Sequence, residues 1–399
     1  MPQPFSGIYE KSVIGLKKVC LICTVTEIGG GFLAPMAEYF HRHTDWDVSL
    51  MCALNHPEFI DQIPEGVRFI EMPMERGISL RGIGACRKMY KLFKKEKFDL
   101  IQYCTPNAAM YAALAGRLAG VPVRLYCQWG LYFVSFQKGI KRRIFQRMEK
   151  TICRLSTHVQ PDSFGNLELC HELGLYPEDK GTVVWNGSTC GIDLKRFDIS
   201  KKEQWRREIR QQWNIPEDAT VLGFVGRING DKGINELLGA FGQLAKENKK
   251  LYLLLVGRLE KQKSVDMSLY EQAGTHPQIR ICGYQREVEK YLSALDCYVL
   301  ASYREGFGTS VIEAEAMELP VIATDIPGPR EAMSRDVTGI MVEARSTEAL
   351  LQGMRQMLSD PEKMRRYGKA GRQYVAERFE IEKFLQATLE DRIKLLEQA

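Results

Sequence analysis

The chain has 399 residues, of which 45% are hydrophobic and 26% charged, with a net charge of +5 and eleven cysteines. This length exceeds one ordinary core and predicts two domains, and the composition excludes a disordered chain. The cysteines lack the spacing of a disulfide framework, which favours a reducing compartment. No apolar run is long enough to span a bilayer and residues 1–18 lack a signal-peptide core, so we expect a cytoplasmic protein.

Strands and helices alternate through the first half, which predicts a doubly wound parallel sheet. The predicted strands are residues 19–25, 48–52, 68–71, 100–104, 121–127, 158–161 and 182–185. Cys20 and Cys23 form a Cys-x-x-Cys pair inside the first strand, where residues three apart face opposite sides. We therefore expect them to pack in the core and not to perform redox or metal chemistry.

A glycine motif follows the first strand. Gly29 to Ala34 match Gly-x-Gly-x-x-Ala, a pattern that also occurs in nicotinamide and flavin oxidoreductases. The second strand leads into Leu54-Asn55 without the acidic residue that would hold an adenosine ribose. The oxidoreductase hypothesis is therefore weak, and a structural tight turn is the alternative for each glycine.

Basic residues concentrate in one part of the first half. Residues 81–154 contain sixteen Lys or Arg and three acidic residues, a net charge of +13. Most lie on two predicted helices, 86–95 and 138–154, and Ile140, Ile144, Phe145 and Met148 form an apolar stripe on the second. Solvated helix faces would explain this pattern, but basic amphipathic helices also bind anionic membranes. No motif indicates nucleic acid as a partner.

The second half restarts the alternation with a strand at 220–225. Gly226, Arg227 and Lys232 follow it, before a helix from about residue 234. Guanidinium, ammonium and backbone N–H groups in such a loop would neutralise a diphosphate, with an ordinary surface charge as the alternative. Later strands are predicted at 251–256, near 281, at 297–301, 321–324 and 339–342, and the last helices at 346–359, 361–379 and 381–399.

Two carboxylates flank a second glycine loop. Glu305-Gly306-Phe307-Gly308 follows the strand at 297–301, and Glu313 lies early in a helix that Thr309 or Ser310 is expected to cap. Ligands of open parallel sheets bind at the carboxyl ends of strands, and carboxylates accept sugar hydroxyl hydrogens. The combination suits a sugar nucleotide. A loop charge and an acid favoured by the helix dipole are the alternative.

The pattern from Glu305 to Glu313, with Gly-Phe-Gly inside it, resembles the signature of retaining nucleotide-sugar glycosyltransferases of family 4. The likeness includes Leu-Pro-Val-Ile-Ala-Thr-Asp and Pro-Gly-Pro-Arg-Glu further on, and it is dense over residues 223–342. It implies the α/β GT-B fold, with two Rossmann-like domains facing a cleft. Residues 1–188 would form the acceptor-side domain, 189–380 the nucleotide-sugar domain, and 381–399 a helix that crosses back to the first domain.

The resemblance also implies roles for residues. Arg227, Lys232 and Glu305 would be catalytic, the two cations on the leaving diphosphate and Glu305 on the hexose. The predicted substrate contacts are Gly30, Gly31, Trp129, Gly226, Gly283, Tyr284, Phe307, Gly308, Thr309 and Glu313, with Tyr284 on the base and Glu313 on the ribose. Many relatives have a His-Gly pair where this chain has Gln128-Trp129-Gly130. Since tryptophan cannot accept a hydrogen bond, either stacking replaces the histidine or the site differs.

The activity that the resemblance implies is transfer of a hexose or N-acetylhexosamine from a nucleotide-diphosphate sugar. The acceptor would be a lipid-linked saccharide or oligosaccharide of the kind used for bacterial surface polysaccharides, and no metal or other cofactor is expected. The protein would lie in the cytoplasm, either free or bound to the anionic inner face of the cell membrane. A nucleotide-sugar epimerase of the same fold and a non-catalytic sugar-nucleotide-binding protein are the alternatives.

Overall fold

The computed structural model describes residues 16–74, 81–136, 138–260 and 265–399. These residues form two six-stranded sheets, with the orders β3-β2-β1-β4-β5-β6 and β12-β11-β10-β7-β8-β9. Each pair of neighbouring strands is parallel. The predicted doubly wound α/β architecture is therefore present in both halves.

The first sheet contains β1 Lys18–Val25, β2 Asp47–Ala53, β3 Arg68–Glu71, β4 Leu100–Tyr103, β5 Val123–Gln128 and β6 His158–Pro161. Its helices are α1 Thr26–Ile28, α2 Ala34–His43, α3 Arg81–Glu96, α4 Pro106–Ala119, α5 Ile140–Leu155 and α6 Phe164–Glu172. A π-turn, Gly29–Leu33, joins α1 to α2, and 3₁₀ turns lie at Pro57–Gln62 and Tyr132–Ser135.

The second sheet contains β7 Thr220–Val225, β8 Leu251–Val256, β9 Ile279–Gly283, β10 Cys297–Leu300, β11 Val321–Thr324 and β12 Gly339–Val342. Its helices are α7 Lys202–Gln212, α8 Ile234–Glu247, α9 Met267–Thr275, α10 Val288–Ser293, α11 Thr309–Ala316, α12 Pro329–Ala332, α13 Thr347–Leu358 and α14 Pro361–Arg378, and a last helix, α15 Ile381–Glu397, follows them. Further 3₁₀ turns lie at Ile199–Lys201 and Gly230–Lys232.

Each sheet reverses its chain order at one position. The reversal lies between β1 and β4 in the first sheet and between β7 and β10 in the second. Open parallel sheets bind ligands outside the carboxyl ends of their strands at this kind of position, which we call the switch point. The loops after β7 and β10, which carry the predicted catalytic residues, are therefore neighbours.

Apolar sequence runs produced the central strands. In β8, every residue except Tyr252 is buried, as expected for a parallel strand with both faces covered by helices. Cys20 and Cys23 are fully buried in β1, so the prediction that they pack in the core is confirmed. Within the described ranges, no helix combines the length and the apolar character needed to cross a membrane.

The strand predicted at 182–185 is absent, and that prediction was wrong. A single bridge joins this segment to the sheet, between Val159 and Gly181, and the Thr182 N–H donates to the Val159 carbonyl at 3.1 Å. Trp185 then has a φ of 51° and Gly187 a φ of 82°, so the chain leaves the extended path. The apolar run forms a connection between domains because it turns away before a ladder can form.

Two chain crossings lie side by side between the domains. The Ile192 N–H donates to the Phe379 carbonyl at 2.7 Å, and the Ile381 N–H donates to the Ile192 carbonyl at 3.0 Å. Beyond this point α15 buries Phe384, Leu385, Leu389 and Leu396 in a core shared with β1 and β2. The predicted return of the last helix to the first domain is confirmed.

Candidate active site

An ion pair of low solvent exposure lies at the switch point of the second sheet. Lys232 belongs to the loop after β7 and Glu305 to the loop after β10, and Lys232 Nζ is 2.5 Å from Glu305 Oε1. Their side chains are only 17% and 12% exposed. The Ser302 hydroxyl donates to the same carboxylate oxygen at 2.6 Å. Charges fixed in this way can act on a ligand with little reorganisation.

The local fold explains why Lys232 is held in place. The Asn229 side chain accepts the Lys232 backbone N–H at 3.2 Å, closing the short turn. Gly233 then has a φ of 65°, and a Cβ there would lie 2.0 Å from the Ala301 carbonyl oxygen. The loops after β7 and β10 thus pack backbone against backbone, which requires glycine and brings Lys232 to Glu305.

Arg227 occupies a separate position from this pair. Its side chain is 52% exposed, and its Nη1 lies 3.2 Å from Glu260 Oε1 in the loop after β8. Asn229 Nδ2 donates to Glu260 Oε2 at 2.7 Å. Gly226, directly before Arg227, donates its N–H to the Val256 carbonyl. A role for Arg227 on a diphosphate stays a prediction.

The loop after Glu305 differs from the prediction in two respects. The Phe307 side chain is 1% exposed and its ring lies 5.1 Å from that of Phe379, so the side chain belongs to the core. A substrate contact through the Phe307 backbone stays a prediction. Gly308, with a φ of 97°, precedes α11, and no side chain caps the helix. Thr309 and Ser310 lie inside the helix, and Ser310 Oγ accepts a hydrogen bond from the Tyr298 hydroxyl at 2.8 Å. The predicted cap was wrong.

Glu313 lies in α11, partly buried. Burial raises its carboxyl pKa to about 7, while the charge of Arg196 opposes that rise and Glu289 adds to it. This carboxyl group can therefore exchange a proton near neutral pH. Contact with a ribose stays a prediction.

An exposed aromatic ring lies at the edge of the second sheet. Gly283 ends β9, and the following Tyr284 is 58% exposed. The guanidinium carbon of Arg258 lies 5.7 Å from the centre of the Tyr284 ring. A flat ring beside a cation is suited to stacking on a base, and the base contact stays a prediction.

The first domain presents the predicted glycines in an unexpected form. Gly30 and Gly31 lie in a helical π-turn and not in an open loop. A Cβ at Gly30 would lie 2.9 Å from Gln62 Oε1, whereas Gly31 is exposed with nothing within 4 Å. Phe32, next in the chain, lies 5.6 Å ring to ring from Trp129. The glycine turn and Trp129 thus meet at this edge of the first sheet.

The structure brings the Trp129 segment to the Glu305 loop. A Cβ at Gly130 would lie 3.0 Å from the Gly306 backbone nitrogen. Gln128, in contrast, is fully buried and its Nε2 donates to Glu149 Oε1 at 2.5 Å. Trp129 and Gly130, which replace the family's His-Gly pair, therefore face the cleft. Gln128, just before them, belongs to the first domain's core.

Several residues where the domains meet were not predicted from the sequence. Ser163 Oγ donates to the Gly306 carbonyl at 2.9 Å, and Asn166 Nδ2 donates to it at 2.5 Å. The carboxylate of Glu331 accepts the N–H groups of Phe164 and Gly165, each at 2.6 Å. Glu331 lies in the Pro-Gly-Pro-Arg-Glu loop, which could have drawn attention to it.

Asp162 was also missed, and it is the most deeply buried acid at this contact. Its side chain accepts from Thr189 Oγ1 at 3.3 Å, while Oδ1 has no hydrogen-bond partner in the part of the chain that the structure describes. Burial raises its pKa to about 8.

Among the described residues, no group of three or more His, Cys, Asp or Glu side chains is placed to hold a metal ion. The expected lack of a metal stays a prediction.

The comparisons with known proteins agree with this geometry. The family described as Glycosyl transferase 4-like matches residues 18–162, and Glycosyl transferases group 1 matches residues 206–374. The two matches cover most of both sheets. The chain belongs to the family 4 glycosyltransferases. It is therefore a glycosyltransferase, as the sequence predicted.

Relatives of this glycosyltransferase include proteins of bacterial surface-polysaccharide synthesis. The capsular polysaccharide biosynthesis glycosyltransferase CapM of Staphylococcus aureus is 29% identical, over 77% of this chain and 80% of CapM. An Escherichia coli enzyme named UDP-Gal:alpha-D-GlcNAc-diphosphoundecaprenol alpha-1,3-galactosyltransferase is 25% identical, over 79% and 81% of the two chains.

Solved structures confirm the GT-B fold. Sucrose-phosphate synthase from Thermosynechococcus elongatus superimposes with a TM-score of 0.77 at 21% identity, covering 96% of this chain and all of that one. Anabaena HepE in complex with UDP and glucose gives a TM-score of 0.76 at 18% identity, covering 95% and 100%. At these identities the likeness shows the fold alone.

Proposed function

We propose that this glycosyltransferase is a retaining enzyme that moves a hexose or N-acetylhexosamine from a nucleotide-diphosphate sugar to a lipid-linked saccharide of surface-polysaccharide synthesis. The observation that carries the proposal is the Lys232–Glu305 pair at the second switch point, facing Trp129 and Gly130 of the first domain. A cation for phosphate and a carboxylate for hydroxyl groups lie together where parallel sheets bind ligands.

The chemistry follows from these charges. Breaking the bond between sugar and diphosphate develops negative charge on the leaving oxygen, which Lys232 would stabilise together with Arg227. Glu305 would accept hydrogens from the hexose hydroxyls and so fix the sugar for attack. In a retaining transfer the departing phosphate assists the incoming hydroxyl on the same face of the sugar. Glu313 would hold the ribose and Tyr284 the base.

Two relatives support a lipid-linked acceptor. The E. coli galactosyltransferase is named for a GlcNAc-diphosphoundecaprenol acceptor. A Campylobacter jejuni relative, 26% identical over 69% of this chain, is named for N,N'-diacetylbacillosaminyl-diphospho-undecaprenol. Acceptors of this class remain in the membrane, so an enzyme that uses them benefits from binding to the membrane surface.

The first domain has a surface suited to that contact. Helix α3 packs on α4, and α4 packs on α5. Exposed apolar side chains on the three helices are Ile83, Tyr90, Leu114, Leu118, Ile140 and Ile144. Exposed basic residues on α5 include Lys141, Arg143, Arg147 and Lys150. Phe145 departs from the predicted stripe, since it packs inward against Tyr132 and Phe136. Apolar residues among cations match an anionic bilayer surface, at the inner face of the cell membrane.

A thermal-shift screen followed by a transfer assay tests the donor and the stereochemistry. A nucleotide sugar at a hundred times its dissociation constant stabilises the protein by about 2.7 kcal/mol. We expect a UDP-sugar or GDP-sugar to raise Tm, and NMR of the product to show the donor's anomeric configuration. An epimer formed from the sugar nucleotide alone would indicate the epimerase instead. Binding without transfer to any acceptor would indicate a non-catalytic protein, and an inverted product would refute retention.

Vesicle binding tests the membrane contact. We expect binding to vesicles with anionic lipid at low salt and release at high salt, because each exposed cation near the surface contributes about 1 kcal/mol. Lys141→Glu with Arg143→Glu should weaken binding at least tenfold and leave UDP affinity unchanged. Arg142 is not altered, since its Nη1 donates to the Phe136 carbonyl. Lys246→Glu with Lys369→Glu, two exposed cations of the second domain, is the matched control. Equal binding to neutral vesicles, or none to either, would favour a soluble acceptor.

A further inference from the structure

A second ion pair lies directly beside the Lys232–Glu305 pair, formed by the preceding residue of each loop. Arg304 Nη2 lies 3.1 Å from Asp231 Oδ2. In addition, the Tyr303 N–H donates to the Asp231 carbonyl at 2.8 Å. Two consecutive ion pairs and one backbone hydrogen bond therefore join the loop after β7 to the loop after β10.

The side chains of the second pair are also bound by the first domain. Ser135 Oγ donates to Asp231 Oδ2 at 3.0 Å and accepts a hydrogen bond from Arg304 Nε. The Arg304 guanidinium carbon lies 5.3 Å from the centre of the Tyr132 ring. Ser135 and Tyr132 belong to the 3₁₀ turn Tyr132–Ser135, a few residues after Trp129. The pair thus connects residues 129–135, which we call the acceptor-side segment, to the loops after β7 and β10.

Geometry and burial favour a precise role for these contacts. The Arg304 and Asp231 side chains are 18% and 24% exposed, so their geometry is fixed more firmly than that of surface pairs. A planar guanidinium can bind a hydroxyl, a carboxylate and an aromatic face at once, which a lysine cannot do. No direct contact between Arg304 and a substrate is needed for this role.

We propose that Arg304 and Asp231 are positioning residues that hold Lys232 against Glu305, and that the first domain tightens this arrangement through Ser135 and Tyr132. The inference rests on the proposed function, in which Lys232 and Glu305 act on the donor. It makes the geometry of the donor site depend on the seating of the acceptor-side segment. The donor is then fully activated only when the two domains are together.

Lysine labelling tests this without relying on turnover. The full-length protein is treated with N-hydroxysuccinimidyl acetate, and the acetylation rate of Lys232 is followed by mass spectrometry. A lysine bound to a carboxylate reacts slowly, so Arg304→Gln and Asp231→Asn should speed the labelling of Lys232 about tenfold. Ser135→Ala should have a smaller effect in the same direction, and Arg304→Lys should restore only part of the protection. Arg355→Gln, which removes the exposed pair with Glu247, is the matched control and should change nothing.

Kinetics on the same variants supply the second readout. With a UDP-sugar donor, kcat should fall 10- to 100-fold in Arg304→Gln, while UDP affinity and Tm stay close to the parent values. Ser135→Ala should cost a few-fold in the parent and nothing further in Arg304→Gln, since both act through one contact. Unchanged Lys232 labelling in Arg304→Gln and Asp231→Asn would overturn the inference, as would a loss of UDP affinity equal to the loss of kcat. An unmodified enzyme that turns over no nucleotide sugar would refute the proposed function, and the labelling would still decide the positioning role.

Discussion

The two switch points have the same strand order and opposite chemistry. In the second sheet the loops are joined by the Lys232–Glu305 ion pair. At the first switch point the uncharged hydroxyls of Thr24, near the end of β1, and Thr105, directly after β4, share a hydrogen bond of 2.6 Å. The fold supplies an edge for a ligand in both domains, and the side chains decide which ligand suits it. A charged edge suits a diphosphate, and a neutral edge suits a sugar.

The neutral switch point is shaped by its backbone. Thr105 has a φ of 65°, which a β-branched residue rarely adopts. Its hydroxyl accepts the Thr24 N–H at 3.2 Å, so the strained conformation is held by contacts across the switch point. The first switch point is therefore built on a strained backbone, whereas the second is built on an ion pair.

Removing charge from the second switch point should give the largest effect. We expect Lys232→Ala and Arg227→Ala each to lower kcat about 100-fold or more, the scale of losing a main stabiliser of transition-state charge. Folding should survive, as judged by Tm. Lys250→Ala, whose side chain is 71% exposed and pairs with Asp218, is the control. Near-normal kcat with weaker donor binding would show that the cations bind the donor equally in the ground state and the transition state, and the leaving-group role would be wrong.

Pushing the Glu305 loop away from the first domain should give the next largest effect. A Cβ in Gly306→Ala would lie 2.2 Å from Asp162 Oδ2, so the Glu305 loop must shift. Overpacking of this kind costs about 1–3 kcal/mol, and we expect kcat to fall about tenfold and Tm to drop by several degrees. Gly242→Ala in α8, with nothing within 4 Å, should be neutral or stabilising. Equal behaviour of the two variants would mean that the contact at Gly306 is loose.

A change on the neutral side should separate acceptor from donor. Trp129→Ala removes the ring that packs near Phe32, and we expect KM for the acceptor to rise about tenfold, the scale of losing an aromatic contact. UDP affinity, measured by calorimetry, should not change. Trp129→Phe should keep most of the affinity for the acceptor. If UDP affinity falls with Trp129→Ala as well, the tryptophan belongs to the donor site.

The smallest expected effect concerns pH and the contact between the domains. Folding raises the pKa of Asp162 from 3.8 to about 8, mainly through burial. The stability associated with the protonated carboxyl is fully present below pH 3.8 and is lost as pH rises to about 8, because the unfolded chain ionises first. We expect Asp162→Asn to flatten the fall of Tm between pH 5 and 8. The same slope of Tm against pH in both proteins would show that Asp162 does not ionise between pH 5 and 8.

The sequence predicted the fold well because the strands are apolar runs buried on both sides, as in β8. It predicted the Lys232 and Glu305 loops because glycine and charge stand out beside such strands. It failed at residues 182–185, where the backbone turn at Trp185 overrides an extended pattern. It also gave no indication that the Phe307 side chain is buried, since a phenylalanine in a glycine loop does not show that the Phe379 ring packs against it.

The contacts across the domains were beyond local sequence patterns. Asp162 and Glu331 are ordinary surface-type residues in the sequence, and their burial depends on the way the domains meet. Asp231 and Arg304 are 73 residues apart in the chain, and they meet only because β7 and β10 are neighbours in the sheet. Such pairings depend on tertiary structure, which hydrophobic periodicity does not report.

The paired crossings at Ile192 and Phe379 limit how the enzyme can open. A single linker would let one domain rotate freely about the other, whereas two adjacent chain segments joined by backbone hydrogen bonds resist twisting. The domains should then move mainly by rotation about one axis, which runs along the two crossings. Each closure would return Ser135 to the same place beside Arg304 and Asp231, so the domains need not sample other orientations after product release.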